Sequence, residues 1–174
     1  MKSKMTIIIY KLLNLIKIIF FLILISSINQ LEAKVDYFIK TKDGQKVKLK
    51  LAITTKEQSA GLSGIPSEEF KNTDGMLFIN KKESIKQFWM PNTYFNLDII
   101  FLNKNLKIIA IERNVPHHIG YKTPPKIYIT KPYLAQYILE IKPNTIFAKK
   151  LQINDYLFFT GPTTLLEILS NIHL

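Results

Sequence analysis

The sequence predicts a mainly β domain, a small antiparallel barrel or sandwich with two short helices. Its first sign is a series of short segments rich in Val, Ile, Tyr and Phe, residues that favour strands. From Val47 onward, apolar residues alternate with lysines, which indicates a strand with one buried and one wet face. Tight turns such as Asp43-Gly44 separate most segments. The 174 residues suffice to bury one core, and the lack of cysteine excludes disulfides and thiolate chemistry.

Residues 1–33 are predicted to be a signal peptide or an N-terminal membrane anchor. Lysines come first, an apolar run follows at 18–25, and a polar stretch ends at Ala33, which is the order of a secretory signal. The run is shorter than the roughly 20 residues that a membrane-spanning helix needs. We therefore predict cleavage after Ala33, with cleavage after Ser27 as an alternative. If residues 12–31 are retained instead, they anchor the domain to the inner membrane, so either way we expect an exported protein, periplasmic or extracellular.

Residues 34–160 are predicted to form the β domain. It begins with a hairpin over residues 35–53. Thr54 or Thr55 can then cap a short helix that Gly61 ends. The remaining elements are expected in this order: a strand at 75–79, strands 98–102 and 106–112 joined as a hairpin, a loop at 113–126, a strand at 135–141, a helix at 144–151 and a strand at 156–159.

Residues 161–174 are predicted to be a C-terminal tail that forms an amphipathic helix. Leu165, Leu169 and Ile172 recur at helical spacing and would share one face. We expect this face to pack on the domain itself, with a membrane surface or a partner helix as alternatives. The sequence gives no indication of an oligomeric state.

A candidate binding site lies between Phe88 and Phe101, where the single tryptophan and a carboxylate surrounded by apolar residues occur close together. An inward-facing Asp98 needs hydrogen-bond donors, and we expect them from Asn92, Thr93 or the turn backbone. The alternative is that Asp98 only fixes this turn. Trp89 either belongs to the core or offers a stacking face to a sugar or peptide.

The loop after residue 112 supplies the other candidates, because long loops on rigid strands often carry function. The predicted ligand-binding residues are Trp89, Asn92, Thr93, Asp98, Asn114 and His117. No metal site is predicted, since the adjacent His117 and His118 would point in opposite directions in an extended chain. No cofactor is predicted either.

Catalysis is disfavoured, because the sequence contains no nucleophile elbow, no cysteine and no phosphate-binding glycine loop. The catalytic alternative is a hydrolase or isomerase that uses Asp98 or Glu112 with His117 as acid and base. Nucleic acid is not an expected partner. The net charge of +11 comes almost entirely from lysines spread singly along the chain, which indicates a solvated surface.

Several motifs resemble the DUF192 family in content and order. They are Gly61-Leu62, Gly75-Met76-Leu77-Phe78, the stretch from Phe88 to Thr93, the stretch from Leu97 to Phe101, Asn114-Val115-Pro116 and Tyr137-Ile138-Leu139-Glu140. The resemblance covers roughly residues 35–159 and implies a compact, mostly β domain, often exported, whose biochemical role is not established. The chain departs from the family pattern in two places: the arginine that is usual a few positions after Gly61-Leu62 is missing from Ser63-Gly64-Ile65, and Asn96 stands where a proline is common.

These observations together predict a non-catalytic module that binds a small ligand, glycan or peptide in the cell envelope. The alternatives to this binding module are the acid/base enzyme and a structural or assembly module. A membrane is an expected partner only through the N-terminal segment, if that segment is not cleaved.

Overall fold

The computed structural model describes residues 13–21 and 36–172. The chain divides into two units, Met1–Val35 and Asp36–Leu174. In the first unit, residues 13–21 are helical, and both predicted cleavage positions lie outside the described residues. No helix in the described part of the chain combines the length and the apolar character needed to cross a membrane.

The second unit is a curled seven-stranded sheet, a half-barrel, which confirms the mainly β prediction. Its strands are β1 (Tyr37–Lys40), β2 (Lys46–Ala52), β3 (Asp74–Lys86), β4 (Leu97–Leu102), β5 (Ile108–Val115), β6 (Tyr133–Ile141) and β7 (Phe158–Thr160). They lie in the order β5-β4-β6-β3-β2-β1-β7. Strand β6 is therefore covered on both edges, by β3 and by β4.

Short helices connect and cover the strands. They are α1 (Thr55–Ala60), a 3-10 turn (Ser67–Glu69), α2 (Ile146–Lys150) and α3 (Leu165–Ser170). The predicted cap of α1 is confirmed, because the Thr54 side chain accepts a hydrogen bond from the Glu57 N–H and the Glu57 carboxylate accepts one from the Thr54 N–H. Gly61 ends this helix at a φ of 49°, which glycine adopts without steric cost.

Both predicted hairpins are present, since β1 pairs antiparallel with β2 and β4 with β5. Several boundaries differ from prediction. β3 continues past residue 79 to Lys86 through an irregularity after Ile79, β5 runs from Ile108 to Val115, β6 starts at Tyr133, and β7 starts at Phe158. The polar residues in these extensions pair at sheet edges or bulges, where alternation is weak. β2 and β3 are parallel, because α1 and the 3-10 turn lie in the connection between them.

The sheet has an apolar core on each face. The first core contains Ile100, Leu102, Leu139, Ile141 and Phe147 together with Ile168 of α3. The second core contains Leu62, Met76, Phe78, Leu97, Ile99, Phe101 and Ile138. Because side chains alternate along a strand, neighbouring residues of β4 and β6 face different cores. This alternation determines on which side of the sheet each buried acid lies.

The C-terminal helix α3 packs on its own domain. Ile168 is buried in the first core, and Leu165, Leu169 and Ile172 pack against that core. The Thr164 side chain caps the helix by accepting a hydrogen bond from the Glu167 N–H. The apolar face of the tail is thus directed at the sheet.

Candidate functional site

Asp98 lies on the first-core face of β4 and is only 2% exposed. Its carboxylate accepts hydrogen bonds from Arg113 Nη1 at 2.6 Å and from the Asn114 N–H at 2.8 Å. The prediction that Asn92 or Thr93 would supply these donors is wrong. The pairing of β4 with β5 brings Arg113 and Asn114 to the carboxylate, whereas Leu97 and Ile99 face the second core.

Arg113 extends this contact to α2. Its guanidinium also donates to the carbonyl oxygens of Ala148 at 2.8 Å and Leu151 at 2.7 Å, where the helix ends. Asp98 therefore joins two strands and a helix through one arginine, and its donors are fully provided by the protein. This arrangement is typical of a structural hydrogen-bond centre.

Asn92 and Asn114 have a backbone role. Both have a φ of 51°, in the left-handed region that asparagine adopts more readily than most residues. The Asn92 side-chain amide donates to the Tyr121 hydroxyl at 3.2 Å, and the Asn114 side-chain oxygen accepts from Asn96 at 3.0 Å. The backbones of Asn92 and Asn114 thus adopt the left-handed conformation, and their side chains form hydrogen bonds to loop residues elsewhere in the chain.

Thr93 and His117 attach the loop after β5 to the turn before β4. The buried Thr93 hydroxyl donates to the Met90 carbonyl oxygen at 3.0 Å and accepts from the His118 N–H at 3.3 Å. His117 Nδ1 lies 2.7 Å from the Asn96 side-chain oxygen. The predicted site residues thus form several contacts within the fold, and they do not converge on one pocket.

A cleft of about 300 Å³ opens on the second-core face of the sheet. Phe78, Phe88 and Trp89 supply aromatic walls, and the Trp89 side chain is 38% exposed. The remaining lining residues are Gln58, Ser59, Ala60, Gly61, Leu62, Ser63, Gln87, Met90, Pro91, Thr93, Leu97 and Glu140. Of the predicted site residues, Trp89 and Thr93 line this cleft, and Asn92, Asp98, Asn114 and His117 lie outside its lining.

Glu140 is the acidic residue of the cleft. It lies on β6 between Met76 of β3 and Ile99 of β4, and it is 5% exposed. Its Oε2 atom has no hydrogen-bond partner among the described residues, and neither does Ser63 Oγ, which belongs to another lining residue. Burial raises the pKa of Glu140 to about 8, since no cation or donor offsets the loss of hydration.

Glu140 was not among the residues predicted from sequence to bind a ligand. Like Asp98, it is a single acid in an apolar strand, and this pattern is the signal that could have identified it. Whether such an acid is partnered depends on strand order. The central position of β6 places Glu140 between apolar neighbours, whereas the edge strand β5 provides Asp98 with an arginine.

No hydrogen bond among the described residues links His117 to Asp98 or Glu112, the groups of the acid/base alternative. Glu112 accepts from Tyr133 at 2.7 Å and Tyr128 at 2.9 Å, while His117 is bonded to Asn96. Burial acts to raise the pKa of Glu112, but the hydrogen bonds from Tyr133 and Tyr128 outweigh it, and the pKa is lowered overall. Within residues 13–21 and 36–172, no group of three or more His, Asp or Glu side chains could hold a metal ion.

Two solved structures share this fold. One is a candidate transcription regulator from Sinorhizobium meliloti 1021, 24% identical, with a TM-score of 0.57 over 73% of this chain and 94% of that one. The other is a protein of unknown function from Novosphingobium aromaticivorans DSM 12444, also 24% identical, with a TM-score of 0.56 over 71% of this chain and 84% of that one. At this level of identity the likeness concerns the fold alone.

No functionally curated protein matches the chain. A family model does match, over residues 38–159, and its family is described as uncharacterised ACR. The matched range runs from β1 to β7 and includes the cleft and the Asp98–Arg113 pair. The chain therefore belongs to the DUF192 family.

Proposed function

We propose that this chain is an exported, non-catalytic binding module whose small ligand occupies the cleft between Trp89 and Glu140. The observation that carries the proposal is the buried, unpartnered Oε2 atom of Glu140 at an aromatic cleft. Small-molecule sites are mostly apolar and contain a few polar groups that orient the ligand. A buried polar atom without a partner costs free energy, and a ligand that bonds to it relieves that cost.

Asp98 and Glu140 differ in whether the protein itself supplies hydrogen-bond donors to the carboxyl group. Asp98 has its donors within the protein, so a ligand would have to displace Arg113 to reach it. Glu140 offers an unpartnered oxygen in the cleft that the partly exposed indole of Trp89 also lines. The aromatic surface provides contact area, and the carboxyl group provides direction.

Thermal unfolding in the presence of monosaccharides, disaccharides and short peptides tests the binding proposal. We expect at least one of them to raise the Tm of the wild type, since a ligand at 100 times its Kd stabilises the folded state by about 2.7 kcal/mol. The rise should disappear in Trp89→Ala and persist in Tyr156→Ala, which removes an exposed aromatic residue outside the cleft. A ligand that stabilises the wild type and Trp89→Ala equally would place binding elsewhere.

The order of charged, apolar and polar residues in the N-terminal segment supports export. Expression of the full chain in a Gram-negative host, followed by mass spectrometry of the envelope fraction, should give a mature protein that begins at Lys34. A start at Ile28 would place cleavage after Ser27, and an intact chain in the membrane fraction would indicate an anchor. An intact chain recovered from the cytosol would contradict export.

A further inference from the structure

We infer that the cleft selects ligands that carry a primary ammonium group, which binds at Glu140; this inference rests on the proposed function. Among the described residues that line the cleft, Glu140 is the one titratable side chain. Burying an ionised carboxylate is costly unless a cation or several donors pair with it, and the Glu140 Oε2 atom has no hydrogen-bond partner among the described residues. The ligand is then the source of the positive charge.

The lysines near this face of the sheet are engaged elsewhere. Lys142 donates to the carbonyl oxygen and hydroxyl of Ser67 at 2.8 and 3.0 Å. Lys86, beside an adjoining groove, donates to Asn80 at 2.7 Å. The residues that face Glu140 from β3 and β4, Met76 and Ile99, are apolar. Among residues 13–21 and 36–172, no side chain forms a hydrogen bond to Glu140 Oε2 that an incoming cation would have to displace.

The cleft also offers the other contacts that an ammonium group uses. Ser63 Oγ is a second unpartnered polar atom in its lining, and a hydroxyl oxygen can accept an N–H bond. The faces of Trp89 and Phe88 attract cations through the ring quadrupole. An ammonium group has three donors, which suits one carboxylate, one hydroxyl and one aromatic face.

Binding of such a ligand is coupled to proton release. Near neutral pH, burial keeps most of the Glu140 carboxyl groups protonated, because their pKa is about 8. When the ammonium group pairs with the carboxylate, the carboxyl proton goes to solvent and the ligand keeps its own protons. Affinity for a cation should therefore rise with pH up to about 8, by about tenfold per pH unit. A neutral ligand that accepts a hydrogen bond from the protonated carboxyl would show the opposite slope.

The test compares n-pentylamine with 1-pentanol, which differ at the polar end, by NMR titration of the wild-type protein. We expect the amine to bind about tenfold more tightly at pH 7 than at pH 6, and the alcohol to bind more weakly than the amine at both. Glu140→Gln should reduce the affinity for the amine at least tenfold and leave that for the alcohol unchanged. The change of amine affinity between pH 6 and pH 7 is measured on the wild type alone. It therefore tests the inference even if Glu140→Gln folds poorly.

Two further pairs distinguish the source of the ammonium group. Glucosamine and N-acetylglucosamine represent amino sugars, and leucinamide and N-acetylleucinamide represent peptide N-termini. Preference for the free amine in one pair identifies that source. If the acetylated compound or the alcohol binds as well as its amine, or if the affinity for n-pentylamine falls between pH 6 and pH 7, the ammonium inference is wrong and the binding proposal stands. If no compound here or among the sugars and peptides binds the cleft, both are wrong.

Discussion

Replacing Arg113 with alanine is expected to lower the free energy of unfolding by about 3 kcal/mol. The variant leaves the carboxylate of Asp98, 2% exposed, without its charge partner. It also removes the two hydrogen bonds to the end of α2, at Ala148 and Leu151. Urea denaturation at pH 7 measures the effect as a lower midpoint with an unchanged m-value.

An exposed ion pair provides the matched control. Lys48 and Asp36 form a salt bridge at 2.6 Å with both side chains more than a third exposed, so Asp36→Asn should cost no more than about 1 kcal/mol. Adding Asp98→Asn to Arg113→Ala should restore part of the loss, because an amide is cheaper to bury unpaired than a carboxylate. Equal costs for Arg113→Ala and Asp36→Asn would mean that Asp98 does not depend on its arginine.

Replacing Glu140 with glutamine is expected to change the pH dependence of stability more than any other substitution in the cleft. Burial raises the pKa of Glu140 from 4.5 to about 8, so the folded state holds this proton more tightly than the unfolded state. Its contribution to stability is therefore fully present below pH 4.5 and is lost as the pH rises to about 8. The loss is on the order of 4 kcal/mol. Between pH 4.5 and pH 8.5, the free energy of unfolding of Glu140→Gln should rise by that amount relative to that of the wild type.

The free energy of unfolding of the variant is compared with that of the wild type at each pH, because the contributions of all other titrating groups then cancel. Glu112→Gln is the control of opposite sign, because hydrogen bonds from two tyrosines outweigh burial and lower the pKa of Glu112. Its ionised form stabilises the fold above pH 4.5, and this stabilisation is lost as the pH falls. Glu112→Gln should therefore lose stability relative to the wild type as the pH rises. Parallel curves for Glu140→Gln and the wild type would show that Glu140 titrates normally.

The contrast between the two buried acids shows what could be predicted from the sequence. Alternation and turn residues predicted the β class, the hairpins and the cap of α1, because these depend on neighbours in the chain. An acid inside an apolar strand was recognisable at Asp98. Its partner, Arg113, lies 15 residues away and is brought to it by pairing across β4 and β5.

Strand order was the information that the sequence lacked. β6 is central because it pairs with β3 and β4, strands that precede it in the chain by dozens of residues. Local patterns do not specify such non-local pairing, so Glu140 could not be placed beside Trp89 in advance. Asn92 and Asn114 were predicted to bind a ligand for their polar side chains, and the positive φ that both adopt was not predicted.

Glu140 is a buried carboxyl group in the cleft, and its Oε2 atom has no partner among the described residues. The most direct test is an NMR titration of the Glu140 side-chain carboxyl carbon in the wild-type protein. We expect a midpoint near pH 8, because burial without a partner raises the pKa of Glu140 to about 8. A midpoint near 4.5, the ordinary value for glutamate, would mean that water or a donor already satisfies the carboxylate, and Glu140 would then not be an unpartnered group open to a ligand.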